Sequence, residues 1–187
     1  MEPAKLLHTW KECLSNNGKA QSELYQYFAP KMYAVCLRFA ENAESAQDIL
    51  QNGFIKVFSK GQNFEGKGSL EGWIRKVMLN SAIEYYRKNK VVFQTTDSIS
   101  EDHHELPADF DMHGLGYKDL LNMIKELPIG YRTVFNLYAI EGYNHKEIAE
   151  MLDMSEGTSK SQLSRARQWL KEKLKKMEEN IHEGSRI

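Results

Sequence analysis

Cysteine is nearly absent from this chain. Only Cys13 and Cys36 occur, and neither has a second cysteine or a histidine near it at zinc-ligand spacing. Neither a disulfide framework nor a cysteine-based zinc site is expected, and both thiols read as reduced side chains of a cytoplasmic protein. Long apolar runs are missing too. None approaches the roughly 20 residues that a membrane helix needs. The opening stretch, MEPAKLLHTWKECLSNNGK, lacks an apolar core of signal-peptide length, so no leader and no direct membrane insertion are expected. Net charge is small, at −1, which argues against indiscriminate binding to nucleic acid. The six histidines are His8, His103, His104, His113, His145 and His182. Three of them fall in one acidic segment, and none forms a constellation with a nucleophile or a metal partner. No catalytic residues, no metal and no cofactor are expected.

What is present is helical periodicity. The 187 residues, 41% of them hydrophobic, allow one ordinary domain or two small ones with packed cores. Apolar positions recur at helical spacing, with no convincing strand-like alternation. The pattern predicts a first helix over Ala4–Ser15, ended by Asn16, Asn17 and Gly18. A second covers Lys19–Asn42, where Pro30 predicts a kink or break. A third runs over Ala43–Lys60. The glycine-rich stretch 61–68 is a loop, and Ser69 caps a fourth helix reaching about Asn89. Helices resume over Leu115–Leu127. Pro128 opens another that ends near Glu141 and Gly142, Asn144 caps a short helix, and Ser155 caps a long one through Met177. The last ten residues are expected to fray. The fold class is all-α: two small helical domains, 1–90 and 114–187, joined by an acidic flexible linker at 91–113.

Charge supports that division. Residues 60–90 hold seven Lys/Arg and three Glu, a net +4. Residues 91–113 hold six acids and no Lys/Arg, and they show no periodicity, so this stretch cannot bury enough apolar surface to fold by itself. Residues 157–176 hold seven Lys/Arg and one Glu, a net +6. Charge runs are often only solvated faces, so the pattern gains meaning from motifs.

The clearest motif is a helix-turn-helix over Tyr143–Lys175. Its first helix buries Ile148, Ala149 and Leu152, and the turn is Asp153, Met154 and Ser155. The second helix buries Leu163, Ala166, Leu170 and Leu174. Gly157, Thr158, Lys160, Ser161, Ser164, Arg165 and Gln168 occupy its opposite side and first turn, with no carboxylate among them. Such a face fits the major groove, with base edges met by its N-terminal half. An ordinary helical hairpin with a solvated face would look similar, although it would normally mix charge signs.

Two further helices carry a second stripe each. On the third, Leu50, Phe54, Val57 and Phe58 point inward, while Asp48, Gln51, Asn52, Ile55 and Ser59 form a polar stripe around an isoleucine. That stripe suits a protein contact, and it suits solvent equally. On the fourth, one polar stripe of Lys76, Asn80, Glu84 and Arg87 is headed by Trp73. Unstacked bases are held by aromatic faces and polar groups, with cations on phosphates. Trp73, Asn80, Tyr85, Tyr86, Arg87 and Lys88 supply those types, but aromatics at helical spacing are usually core.

These elements, in this order, resemble the extracytoplasmic-function (ECF) sigma factors, over about Ala20–Lys175. Asp48, Gln51 and Phe54 match a D-x-x-Q-[DE]-x-F motif, with Asn52 in place of the acid and Gly53 in place of a small or β-branched residue. Trp73, Ile74, Val77 and Asn80 match W-[IL]-x-x-[IV]-x-x-N after a loop containing Phe64 and Lys67. Leu127, Pro128, Arg132, Val134 and Phe135 match L-P-x-x-x-R-x-V-[FL]. Residues 157–167, GTSKSQLSRAR, match G-T-[VI]-[KR]-S-[RQ]-[LI]-x-R-[AG]-[RK] except at Ser159, where a β-branched apolar residue is usual. The resemblance implies a non-enzymatic initiation factor that binds core RNA polymerase through Asp48, Gln51, Asn52, Phe54 and Ile55. It implies opening and reading of a −10 element through Phe64, Lys67, Trp73, Lys76, Asn80, Tyr85, Arg87 and Lys88, the loop capturing a flipped base. A −35 element is then read by Gly157, Thr158, Lys160, Ser161, Ser164, Arg165 and Gln168. Promoter DNA, core polymerase and an anti-sigma factor, often membrane-bound, are the implied partners. A stand-alone helix-turn-helix regulator is the alternative.

Overall fold

Short polar side chains set the helix boundaries. In the computed structural model, which describes residues 2–96 and 117–184, every regular element is helical. Helix α1 (Pro3–Leu14) opens on a proline, tolerated there because the first turn has no helical acceptor for its missing N–H. The side chain of Asn17 accepts from the amides of Lys19 and Ala20 at 3.0 and 3.3 Å and starts α2 (Gly18–Leu37). Asn42 accepts from the amide of Ser45 at 2.8 Å and starts α3 (Ala43–Ser59). A 3₁₀ turn, Gly61–Asn63, leads into the glycine loop. Ser69 Oγ accepts from the amide of Gly72 at 3.0 Å at the head of α4 (Leu70–Thr96).

After α5 (Tyr117–Glu126), helix α6 (Ile129–Phe135) runs directly into a π turn, Asn136–Ile140. Asn144 and Glu147 form a reciprocal capping box on α7 (His145–Leu152), at 3.0 and 2.8 Å. Asp153 adopts the left-handed conformation at φ 53° and turns the chain. Ser155 Oγ accepts from the amide of Thr158 at 2.9 Å and starts α8 (Glu156–Gly184).

The chain divides into two compact units, Met1–Lys88 and Asn89–Ile187. In the first, Leu24, Phe28 and Cys36 of α2, Ile49 and Val57 of α3, and Ile74 and Met78 of α4 are sealed from solvent. Gly53 explains how closely α3 crosses α4: a β-carbon there would lie 2.2 Å from Met78 Sδ. In the second, α8 packs on α5, α6 and α7, burying Leu163, Ala166 and Leu170 together with Ile148, Leu152 and Leu137.

Several boundaries differ from the sequence reading. Helix α2 runs through Pro30 without a break. Pro30 and Gln26, whose carbonyl loses its helical donor, both lie on the exposed side, where water can replace the missing bond. The helix stops at Leu37 rather than Asn42, because Phe39 turns into the core and Asn42 caps the next helix. Helix α4 continues to Thr96, so residues 91–96 of the expected linker are helical; residues 97–113 lie outside the described residues. Helix α8 likewise continues past Met177 to Gly184.

Candidate nucleic-acid and partner interfaces

Helix α8 presents the expected face. Gly157, Thr158 and Lys160 are exposed, and Ser161, Ser164, Arg165 and Gln168 are half-buried. The buried side is made by Ser159, Leu163, Ala166 and Leu170, while Leu174, expected inside, is half-buried. Local hydrogen bonds already engage part of the polar face. Ser161 Oγ donates to the carbonyl of Thr158 at 3.0 Å. Gln168 Nε2 donates to Glu172 at 3.1 Å, which engages one of its amide hydrogens. Lys160 lies 3.8 Å from Glu156, an exposed pair of small energetic weight. Arg165 has no hydrogen-bond or ion-pair partner among the described residues. Its guanidinium is therefore the cation of this face most available to a base edge or a phosphate.

Ser159 departs from the family pattern at a position wholly closed to solvent. Its hydroxyl is satisfied: His145 Nδ1 lies 2.9 Å from Ser159 Oγ. The imidazole stacks on Tyr138 at 4.7 Å and 24°, and the guanidinium of Arg167 sits 5.7 Å over the other partner of that stack, the Tyr138 ring. Burial lowers the pKa of His145, and the nearby Lys160 and Arg167 lower it further. Arg167 is thus engaged at the edge of the core. The pairing of residues 145 and 159 was the missed feature. Its signal was a polar residue at an apolar position of α8 facing a histidine at the start of α7.

In the first unit, the stripe on α3 is open. Asp48, Gln51 and Asn52 are exposed, and Ile55 keeps 64% of its surface in solvent. Phe54, read as inward-pointing from its helical position, is only 3% exposed and packs against Tyr25 at 4.6 Å and Phe58 at 5.9 Å, beneath the stripe.

On α4, Lys76, Asn80, Arg87 and Lys88 are exposed, as is Lys67 of the loop, which pairs with Glu65 at 2.7 Å. Glu84, the one acid of the α4 stripe, is held by Lys56 at 2.7 Å, so the remaining stripe is cationic and polar. The aromatics sit deeper than a base-stacking role requires. Tyr85 is half-buried; its hydroxyl donates to Ser45 Oγ at 2.9 Å and lies 3.4 Å from Glu41. Burial raises its pKa, and packing withdraws it from the stripe. Phe64 and Trp73 are half-buried and touch at 5.7 Å, and both pack on Trp10 of α1. The part played by Trp10 was not legible in the sequence.

No group of three His, Cys, Asp or Glu that could hold a metal occurs among the described residues, and no described helix is long and apolar enough to cross a membrane. Burial pushes the thiol of Cys13 up to about 11 and that of Cys36 up to about 12, which makes both poor nucleophiles.

Comparison with known proteins matches both units. A family model described as Sigma-70 region 2 covers residues 24–91, and one described as Sigma-70, region 4 covers residues 117–170. The ECF RNA polymerase sigma factor SigE of Mycolicibacterium smegmatis is 30% identical over 161 residues, which is 82% of this chain and 61% of that protein. The chain therefore spans less than two thirds of that relative's length. The ECF RNA polymerase sigma factor SigM of Bacillus subtilis is 29% identical over 150 residues, 80% of this chain and 91% of SigM. The RNA polymerase sigma-E factor of Streptomyces coelicolor is 30% identical over 141 residues, 73% of this chain and 76% of its own length. With both sigma-70 regions in order and these relatives across most of its length, the chain belongs to the extracytoplasmic-function sigma factors of RNA polymerase.

Proposed function

We propose that this chain acts in the cytoplasm as a specificity subunit that brings core RNA polymerase to its promoters. The exposed stripe at Asp48, Gln51, Asn52 and Ile55 binds the polymerase. Lys67, Lys76, Asn80, Arg87 and Lys88 meet the −10 element, with Phe64 and Trp73 shaping the loop above them. Gly157, Thr158, Lys160, Ser161, Ser164 and Arg165 meet the −35 element, with Gln168 at the rim. The chain performs no reaction of its own; the polymerase carries out phosphoryl transfer. An anti-sigma factor is the further partner the family suggests.

The observation that carries this reading is the exposed α3 stripe, present on a chain that also holds a helix-turn-helix. A stand-alone regulator needs only α7 and α8 and leaves that stripe without a use. The test is co-elution with purified core polymerase in gel filtration. The chain is expected to co-elute, and Asp48→Arg to weaken the association without unfolding the protein, since Asp48 is exposed. A wild-type chain that elutes apart from the polymerase contradicts the reading.

A further inference from the structure

One side chain outside the matched sigma-70 regions touches the glycine loop at its start and its middle, and the helix that follows it. Region 2 is matched from residue 24 onward, and α1 (Pro3–Leu14) lies before it. Trp10 of α1 is 3% exposed. At the start of the loop, a β-carbon on Gly61 would lie 3.0 Å from Trp10 Cη2 and 2.6 Å from Leu14 Cδ2, so any larger residue would displace the indole or the leucine. Within the loop, Phe64 meets Trp10 edge-on at 6.0 Å and 81°. Beyond it, Trp73 in the first turn of α4 meets Trp10 at 5.7 Å and 62°. The remaining loop residues, Gln62, Asn63 and 65–69, are exposed, and Gly66 and Gly68 adopt positive φ at 74° and 89°. The other restraints on this segment are light: the amides of Asn63 and Phe64 bond the carbonyls of Lys60 and Gly61, exposed Lys67 pairs with Glu65, and Ser69 caps α4.

We infer that Trp10 is a positioning residue for promoter reading: its indole ties the start of loop 61–69 to the first turn of the helix after it and sets the geometry in which the loop meets a base of the −10 element. The inference rests on the proposal that the first unit reads that element. Base readout requires the reading groups to be held to within a fraction of an ångström, and a loop with two positive-φ glycines does not hold itself. The aromatic cluster supplies that restraint from beneath, leaving the exposed polar atoms of the loop free for DNA. Trp10 does not touch the DNA; it acts through Phe64, Gly61 and Trp73.

The experiment uses the full chain with core polymerase and a promoter library randomised separately in its −35 and −10 blocks, scored by sequencing of the transcripts. Trp10→Leu keeps an apolar core residue but cannot reach all three contacts. It is expected to lower −10 base preference about ten-fold, the scale of one lost base discrimination, with −35 preference unchanged. Trp10→Phe restores most of the preference, and Gly61→Ala, whose methyl crowds the Trp10 indole and Leu14, lowers it. Val35→Ala removes buried volume elsewhere in the same unit and leaves −10 preference at the wild-type value. Equal loss in Val35→Ala and Trp10→Leu would reduce Trp10 to a plain core residue and overturn the inference. Replacing residues 62–68 by Gly and Ser separates the two levels. If that replacement leaves −10 preference intact, the loop does not read the element, and both readings fall. If it abolishes the preference while Trp10→Leu keeps it, only the role of Trp10 falls.

Discussion

The two units hold their exposed polar faces in different ways. In Met1–Lys88, the α3 and α4 faces rest on volume: Phe28, Phe39, Ile49, Ile74 and Met78 are closed to solvent, with Gly53 trimmed to admit Met78. In the second unit, polar groups share the support. Arg132 is buried and donates from Nη1 to the carbonyl of Lys125 at 2.6 Å, tying α6 to the end of α5. Buried Thr133 donates back to the carbonyl of Ile129 at 2.7 Å, and buried Ser159 meets His145. The first unit should therefore respond most to lost volume, and the second to lost hydrogen bonds and to pH.

The largest effect that sharpens this contrast is Phe28→Ala. Removing a fully buried phenyl ring costs about 3–5 kcal/mol. Hydrogen exchange resolved by peptide is expected to show faster exchange throughout α2–α4, with α6–α8 unchanged; equal loosening of both units breaks the contrast. Next is Arg132→Met, which keeps much of the volume but leaves the carbonyl of Lys125 without this charged donor. A cost of about 1.5–3 kcal/mol, confined to peptides of α5, α6 and α8, is expected. A neutral result means that burying the guanidinium costs as much as its bonds return.

A comparable magnitude belongs to function rather than stability. Arg165→Ala is expected to cost roughly 1–3 kcal/mol of preference at one base if the guanidinium reads a base edge. If it holds phosphate, all sequences weaken alike and the salt slope falls by about one. A binding profile over a range of salt distinguishes these, and no change in either removes Arg165 from the interface. Smaller is Asn144→Ala, which removes half of the capping box and costs about 1 kcal/mol in exchange of the α7 amides.

The pH effect is the smallest. His145 in the folded chain sits below its ordinary value of 6.5, so the unfolded chain binds that proton more readily. Its contribution to the stability of the second unit is therefore complete above pH 6.5 and is lost as pH falls through the lowered folded value. His145→Gln can keep a bond to Ser159 and should flatten that dependence. An NMR titration placing the His145 ring at or above 6.5 contradicts the assignment.

How far the sequence foretold these sites follows from which forces place the residues. The α8 face was legible because helical periodicity alone separates Lys160 and Arg165 from Leu163 and Leu170, and because caps such as Asn144 and Ser155 are local in sequence. The α3 stripe was legible for the same reason. Phe54 was read inward by that periodicity as well, whereas Tyr85 was harder: its hydroxyl is engaged by Glu41 and Ser45, before and within α3. Long-range packing of that kind has no periodic signal. The contact of Trp10 with Gly61 and Trp73 spans the greatest separations at this site, and α1 lies outside the matched region altogether. Pro30 shows the converse, since a strong local signal was overridden because its cost falls on the solvent side.

On the proposed function, one chain confers sequence-selective initiation through two reading faces. The most direct test of that function is transcription by purified core polymerase, with and without this chain, from a promoter library randomised in both blocks. Chain-dependent transcripts enriched for one sequence in each block are expected. Arg165→Ala is expected to alter the −35 enrichment alone and Asn80→Ala the −10 enrichment alone. Transcription that does not depend on the chain, or enrichment that neither substitution changes, would contradict the proposed function.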